Sequence, residues 1–496
     1  MAASKMPYDF PPIIELRVVN KLKGALKQGL TNLTKNGDEQ IATEKFSWDP
    51  SITKLVPMLS FPFDLRLKCD EFYLKFFYTS LFTLALPLII LRLIWRGFRA
   101  PAYFKRWPER FGFNPALTFS KPVIWIHAVS VGEVEATRPL IKSLHTDYPE
   151  HQLLITTMTP TGSARVTAIY SDTVSHCYLP YDLPFAIDRF LASCKPQFGI
   201  IMETEIWPNL LTRCAQQNIK LVLANARMSE RSYKGYQRVA SLTKEVLQAL
   251  TLIAAQGQQD RQRFVELGAD VKKVHAIGNL KYEISLPTSL KEQAEVMRSM
   301  WDTHRPVWIV ASSHEGEEEI ALNASRKVRS QFPNLLLIIV PRHPERFDRV
   351  SALSQRAGFK TLRRSEHRPC PADVQVLVVD TMGELPLFYA ASDVAFVGGS
   401  LVAHGGHNLL EPAALGRAVI TGPHYFNFQE ITNQFIQAQA AIEVTDTTEL
   451  AETVIDLLQN SQKRVDMGEA GLKLIVNSQG ASMRLSNLIK HHITHV

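Results

Sequence analysis

A carboxylate placed just past a buried strand, where a helix begins, is a candidate general base. The run His127-Ala-Val-Ser130-Val-Gly132-Glu133 has that form. The helix N-terminus would hold Glu133 as the anion, and Gly132 would permit close approach of a ligand. Ser130-x-x-Glu133 equally fits a capping box, in which both side chains only close the helix end. A second run, Met202-Glu203-Thr204-Glu205-Ile206-Trp207-Pro208-Asn209, puts two carboxylates two residues apart after an apolar stretch. If the strand continues, both point to one face. Such a pair is costly unless a cation, a shared proton or a substrate hydroxyl satisfies it. The plainer alternative, acids in an exposed loop, is weakened by Met202, Ile206 and Trp207 beside them. Lys281, in Gly278-Asn-Leu-Lys281, is a candidate partner for a phosphate or carboxylate, or an ordinary surface lysine.

The second half of the chain offers groups suited to anions. Ser312-Ser-His314-Glu-Gly-Glu317 follows an apolar run and opens a helix, where N–H groups suit a phosphate. Arg342, in Pro341-Arg342-His343-Pro344, could grip a phosphate bidentately. Thr381-Met382-Gly383-Glu384 follows another apolar run. Gly398-Gly399-Ser400, then His404-Gly-Gly-His407-Asn408-Leu409-Leu410-Glu411, reads as a backbone loop able to wrap an anion, with a helix starting near Asn408. Glu411 could bind sugar hydroxyls. His404 and His407 read as donors in that loop rather than metal ligands. The pattern is neither GxGxxG nor a Walker loop. There is no DxD and no HExxH, and His491 and His495 sit at a chain end, so no metal is expected.

These groups need strands to position them. Short Val/Ile/Leu-rich runs at Val123–Ile126, Leu153–Thr157, Gly199–Met202, Leu221–Ala224, Leu252–Ala255 and Val274–Ile277 lack polar alternation, as strands buried on both faces do. Helical stretches such as Val134–Tyr148 and Pro184–Cys194 lie between them. The pattern pauses over Tyr282–Pro306. It restarts at Val307–Ala311, Leu335–Val340, Val376–Val379, Val394–Val397 and Ala418–Ile420. The expectation is an α/β protein of two Rossmann-like domains facing an interdomain cleft.

With 496 residues the chain is too long for one ordinary core, and 46% apolar with 21% charged residues is a globular composition. A net charge of +7 favours anionic partners. No dense Lys/Arg block or aromatic–basic interleaving points to nucleic acid. The five cysteines form no CxxC pair, which fits a reducing compartment. Phe76 to Leu91 is uncharged and could anchor the chain in a membrane. Arg92, Arg96, Arg99, Lys105, Arg106 and Arg110 follow it, and positive charge marks the cytoplasmic side. A buried core helix is the alternative. Leu16, Val19, Leu22, Leu26, Leu30 and Leu33, with Lys21, Lys23 and Lys27 between them, suit either a basic amphipathic helix on a membrane or a solvated one. The expected organisation is an extension over 1–72, an anchor with a basic segment over 73–110, and Rossmann-like domains over 111–285 and 286–496.

HAVSVGE (127–133), TTMTPTGS (156–163), YLPYDLP (178–184), METEIWPN (202–209), ANARMSERS (224–232), GNLK (278–281), SSHEGEE (312–318), VPRHPERF (340–347), DTMGEL (380–385) and GGSLVAHGGHNLLEPAA (398–414) resemble the bacterial 3-deoxy-D-manno-octulosonic acid (Kdo) transferases of lipopolysaccharide assembly. The resemblance runs from about Phe76 to near the C-terminus. It implies a GT-B-type fold, an inner-membrane anchor and a catalytic part on the cytoplasmic side. It also implies CMP-Kdo as donor and the tetraacylated lipid A precursor as acceptor, with no cofactor. By similarity, Glu133 matches the family's catalytic base, and Glu203 and Lys281 match residues that stabilise the transition state. Pro341 and Arg342, Met382, Gly383 and Glu384, and Asn408, Leu409, Leu410 and Glu411 match its CMP-binding segments. The alternatives are another GT-B glycosyltransferase or a sugar-nucleotide epimerase, since fold does not fix function, and a membrane-tethered scaffold whose acids merely cap helices.

Overall fold

The computed structural model describes residues 63–494, apart from 115–116, 172 and 285. The leucine pattern over Leu16–Leu33 and His495 lie outside the described residues. Contacts divide the chain into two units. Of the described residues, the first takes those up to Ser130 together with Glu150–Ala276; the second takes Val131–Pro149 with those from Ile277 onward.

The first unit is built on a seven-stranded sheet: β1 (Val123–His127), β2 (Gln152–Thr157), β3 (Ser175–Tyr178), β4 (Pro196–Met202), β5 (Lys220–Ala226), β6 (Leu252–Ala255) and β7 (Val274–Ala276). All pairings are parallel, in the order β3-β2-β1-β4-β5-β6-β7. The second unit repeats the plan with β8 (Val307–Ser313), β9 (Leu336–Pro341), β10 (Thr361–Arg363), β11 (Val376–Val378), β12 (Val394–Val397), β13 (Ala418–Thr421) and β14 (Ala441–Glu443). Its order is β10-β11-β9-β8-β12-β13-β14, again parallel. Helices cover both faces of such a sheet, so its central strands have no wet side. That is why β1, β8 and β9 carry unbroken apolar runs, and why Trp125 and Trp308 are fully buried.

The segment expected as one helix over Val134–Tyr148 is two, Val131–Ala136 and Arg138–Asp147. Pro139 explains the break: it fits the first turn of the second helix but cannot donate into the turn before it. Both helices belong to the second unit. The second one packs against the helix Ala481–Ile489. Asp147 accepts from the Ser486 hydroxyl and pairs with Lys490 at 2.6 Å.

One long helix, Phe63–Arg99, precedes the first sheet. Within it, Leu74–Phe98 is long and apolar enough to cross a membrane, by length and composition. One face is docked. Leu74 and Tyr78 pack on the core of the first unit, and Phe82 lies against Leu183 and Ala186. The Tyr78 hydroxyl donates to Asp182 at 2.9 Å and Thr79 Oγ1 to Asn209 Oδ1 at 3.0 Å. Phe76, Leu84, Leu88, Leu91, Trp95 and Phe98 form the exposed remainder. The chain then folds back through a turn at Pro101–Phe104. Gly97 makes room for it, since a Cβ there would sit 2.4 Å from the Phe104 ring. Arg106 and Arg110, members of the basic flank, lie over the Tyr178 ring at 4.8 and 4.4 Å. They fasten this segment to the first unit.

Candidate active site

Each sheet is wound outward in both directions from one strand pair, β1/β4 in the first and β8/β12 in the second. Ligands of open α/β sheets sit beyond the C-terminal strand ends at such a switch point. The run ending in Glu133 leaves β1, and the run carrying Glu203 and Glu205 leaves β4. Ser312–Glu317 leaves β8, and the glycine-rich run from Gly398 leaves β12. Arg342 follows β9, the neighbour of β8.

At β4 the same-face expectation for Glu203 and Glu205 fails. The strand ends at Met202, and Glu203 takes a left-handed backbone, φ +57°. A non-glycine residue held there stores about 1 kcal/mol or more of strain, a recurrent feature of functional turns. Asn225 near the end of β5 and Ser312 near the end of β8 are held the same way, at φ +54° and +55°. Glu205 is only 6% exposed and accepts from Trp207 Nε1 at 2.7 Å. Burial pushes its carboxyl up to about 7, with the Glu203 charge adding to the rise. An acid whose pKa is raised on folding binds more protons folded than unfolded, so stability falls as pH climbs from its ordinary value through 7. Glu205→Gln should remove that slope. In urea titrations it should match wild type below about pH 4 and exceed it at pH 8, by up to about 3 kcal/mol. Identical pH dependence of the two proteins would refute the assignment.

Two motif residues prove structural. His127 is fully buried, with Nδ1 at 2.9 Å from Thr156 Oγ1, and burial lowers it to about 3, so it is neutral. Asp182 accepts from the backbone N–H groups of Asn209 and Leu210, at 3.1 and 2.8 Å, capping the helix Pro208–Gln216. With the Tyr78 bond it ties the apolar helix to the end of β4.

In the second unit, Glu133 is 3% exposed in the helix Val131–Ala136. That helix packs against the turn Leu280–Tyr282, which carries Lys281. Asn279 Oδ1 accepts from the Lys281 N–H at 2.9 Å, and Arg484 Nε donates to Ile277 O at 2.7 Å, so the turn is fixed from both sides. Tyr282 is buried with Leu409 and Leu410, which links this turn to the start of the helix Leu410–Ala414. The helix that carries Glu133 thus touches the turn that carries Lys281, and Tyr282 of that turn shares a core with Leu409 and Leu410. Glu203 lies in the other unit.

The glycine-rich run differs from expectation. Its amides wrap an anion, but the anion is the chain's own. Glu317, 1% exposed, accepts from the N–H groups of His314, Gly399, Ser400 and Leu401 at 2.7–3.0 Å. Burial raises its pKa, and these four donors oppose the rise. Gly398 must lack a side chain here: a Cβ would sit 2.8 Å from Ser312 O and 2.9 Å from Glu317. The following helix begins at Leu410 rather than Asn408, and Asn408 Oδ1 takes the Leu410 N–H at 3.1 Å. Leu409 and Leu410 are buried in the core, so only their backbone is left to meet a ligand. Glu384 pairs with Arg364 at 2.8 Å, which holds its carboxyl below the usual range, and accepts from the Thr381 hydroxyl. Gly383, φ +87°, turns the chain beside it and leaves Met382 68% exposed. Pro341 ends β9, and Arg342 beyond it is exposed. Arg346 is spent on buried Glu318, at 2.7 and 3.0 Å. Among the described residues no group of His, Cys, Asp and Glu is arranged to hold a metal ion.

Two parallel, doubly wound Rossmann-like sheets are the architecture of GT-B-type glycosyltransferases. Residues 105–284 match the family described as 3-deoxy-D-manno-octulosonic-acid transferase (kdotransferase), and residues 309–474 match glycosyl transferases group 1. The 3-deoxy-D-manno-octulosonic acid transferase of Haemophilus influenzae is 43% identical over 421 residues, 84% of this chain and 99% of that one. That of Bordetella pertussis is 36% identical over 423 residues, 82% and 97%. The chain belongs to the Kdo transferase family. Among solved structures, UDP-GlcNAc 2-epimerase from Neisseria meningitidis shares the fold at 14% identity, covering 74% of this chain and 100% of that one, with a TM-score of 0.50. The C-terminal CMP-Kdo binding domain of WaaA from Acinetobacter baumannii is 37% identical over 38% of this chain and 99% of that one, with a TM-score of 0.37.

Proposed function

We propose that this enzyme, whose family membership makes it a Kdo transferase of lipopolysaccharide synthesis, takes CMP-Kdo as donor and the tetraacylated lipid A precursor as acceptor, and transfers with inversion. Glu133 is the base: it removes the proton of the acceptor hydroxyl as the oxygen attacks the anomeric carbon of Kdo. Lys281 and Glu203 stabilise the transition state. Arg342, with the backbone at Met382–Glu384 and Asn408–Glu411, holds the departing CMP. A monophosphate is a stable leaving group, so the reaction asks less of a metal ion than a diphosphate donor does. The observation that carries this reading is a buried glutamate in a short helix that packs against the turn of Lys281, whose neighbour Tyr282 shares a core with Leu409 and Leu410.

Glu317 takes the Gly399, Ser400 and Leu401 amides, so those three do not serve the donor phosphate, and Arg342 carries more of its charge. Arg342→Ala should therefore weaken CMP binding by about 10- to 100-fold in calorimetric titration. Unchanged CMP affinity would remove Arg342 from the site. CMP should inhibit turnover and UDP should not; the reverse would favour a diphosphate-sugar enzyme.

The apolar helix is proposed as an inner-membrane anchor on the cytoplasmic side, embedded by one face rather than spanning. Its N-terminal half is pinned through Tyr78 and Thr79, and its C-terminal end folds back onto the same unit. The stretch Leu84–Phe98 would reach only about 22 Å, against about 30 Å of hydrocarbon. Leu84→Lys with Leu88→Lys should cut co-sedimentation with anionic phospholipid vesicles by about ten-fold or more. Wild-type sedimentation of the double variant would contradict this.

A further inference from the structure

One cluster at the second switch point has no role so far. His314 after β8, His343 after β9, and His404 and His407 after β12 converge. His314 Nε2 and His407 Nε2 lie 3.0 Å apart, their ring planes within 11°. His404 stacks on His314 at 4.1 Å and His343 meets it edge-on at 5.4 Å. Two ring nitrogens at that distance share one hydrogen, so one donates and the other accepts.

The surroundings are built against cations and lack a committed anion. Burial lowers His407 to about 3 and His314 to about 4, with Arg342, Arg346 and the other imidazoles adding to it. Acidic neighbours are engaged elsewhere: Glu318 pairs with Arg346, Glu315 with Arg349, and Glu317 with the loop amides. Glu345 acts on His343, at the rim. An arriving anion would supply what these rings lack, stabilising their protonated forms. The glycines serve this arrangement. Gly399, φ +71°, carries no Cβ, which would otherwise sit 3.0 Å from the His407 ring.

The donor argued for above presents two anions on one carbon, the phosphoester and the carboxylate of the sugar acid. Arg342 is a single guanidinium and serves one of them. We propose that His314 and His407, with His404 at the rim, bind the carboxylate of the donor's ulosonic acid and so select a sugar acid over a neutral sugar. The inference rests on the CMP-Kdo reading.

The test uses the full chain with His314→Gln and, separately, the exposed His404→Gln, whose loss threatens folding least. The KM for CMP-Kdo should rise about ten-fold or more, while inhibition by CMP, which lacks the carboxylate, changes less than about two-fold. Thermal unfolding should stay at the wild-type midpoint in His404→Gln. A parallel loss of CMP inhibition would assign the cluster to the phosphate and overturn the inference, as would an unchanged KM in both variants. Failure of the underlying reading looks different: wild-type protein would neither consume CMP-Kdo nor be inhibited by CMP.

Discussion

Glu133→Gln should lower kcat by about 10²- to 10⁴-fold, the usual worth of a general base, and leave inhibition by CMP near its wild-type value. Glutamine keeps the shape and reach of the side chain but cannot accept the acceptor's proton. The residue is 3% exposed and its helix is only six residues long, Val131–Ala136. Initial rates under saturating donor and acceptor decide the matter. Turnover within about two-fold of wild type would return Glu133 to the capping-box role that Ser130-x-x-Glu133 also fits.

Glu317→Ala should be the most damaging change to the second unit, costing about 3–5 kcal/mol. Its carboxylate satisfies four backbone donors from two loops that leave different strands. Removing it leaves those N–H groups buried and unpaired, and the loop that carries His404 and His407 loses its brace. Hydrogen exchange at Gly399, Ser400 and Leu401 should accelerate by orders of magnitude, with CMP binding lost in parallel. Protection of those amides equal to wild type would mean that the loop holds its shape by other bonds.

Much of this was legible in the chain. The apolar runs at Val123, Leu153, Leu221, Val307 and Val394 are strands because only strands covered on both faces dispense with polar alternation. The edge strands β3, β10 and β14 escaped notice: SHCY, TLR and AIE are too short and too mixed to show a period. The motifs placed Glu133, Glu203, Arg342 and the glycine run at strand ends, and the sheet order puts those ends at or beside the switch points. Their partners could not be read. Nothing local in the chain says that Glu317 is bonded to amides more than eighty residues away. Nor does it say that Asp182 caps a helix and holds Tyr78, or that Glu203 turns left-handed and splits a pair that strand geometry would have kept on one face. These are long-range hydrogen bonds and local strain, which only the folded chain displays.

The most direct test of the transfer reaction is to incubate the full chain with CMP-Kdo and the tetraacylated lipid A precursor, then weigh the lipid by mass spectrometry and determine the anomeric configuration of the new bond. The account predicts lipid heavier by whole Kdo residues, CMP released in equal amount, and a configuration opposite to that in the donor. Release of CMP with the lipid unchanged in mass, or a product that retains the donor's configuration, would contradict it.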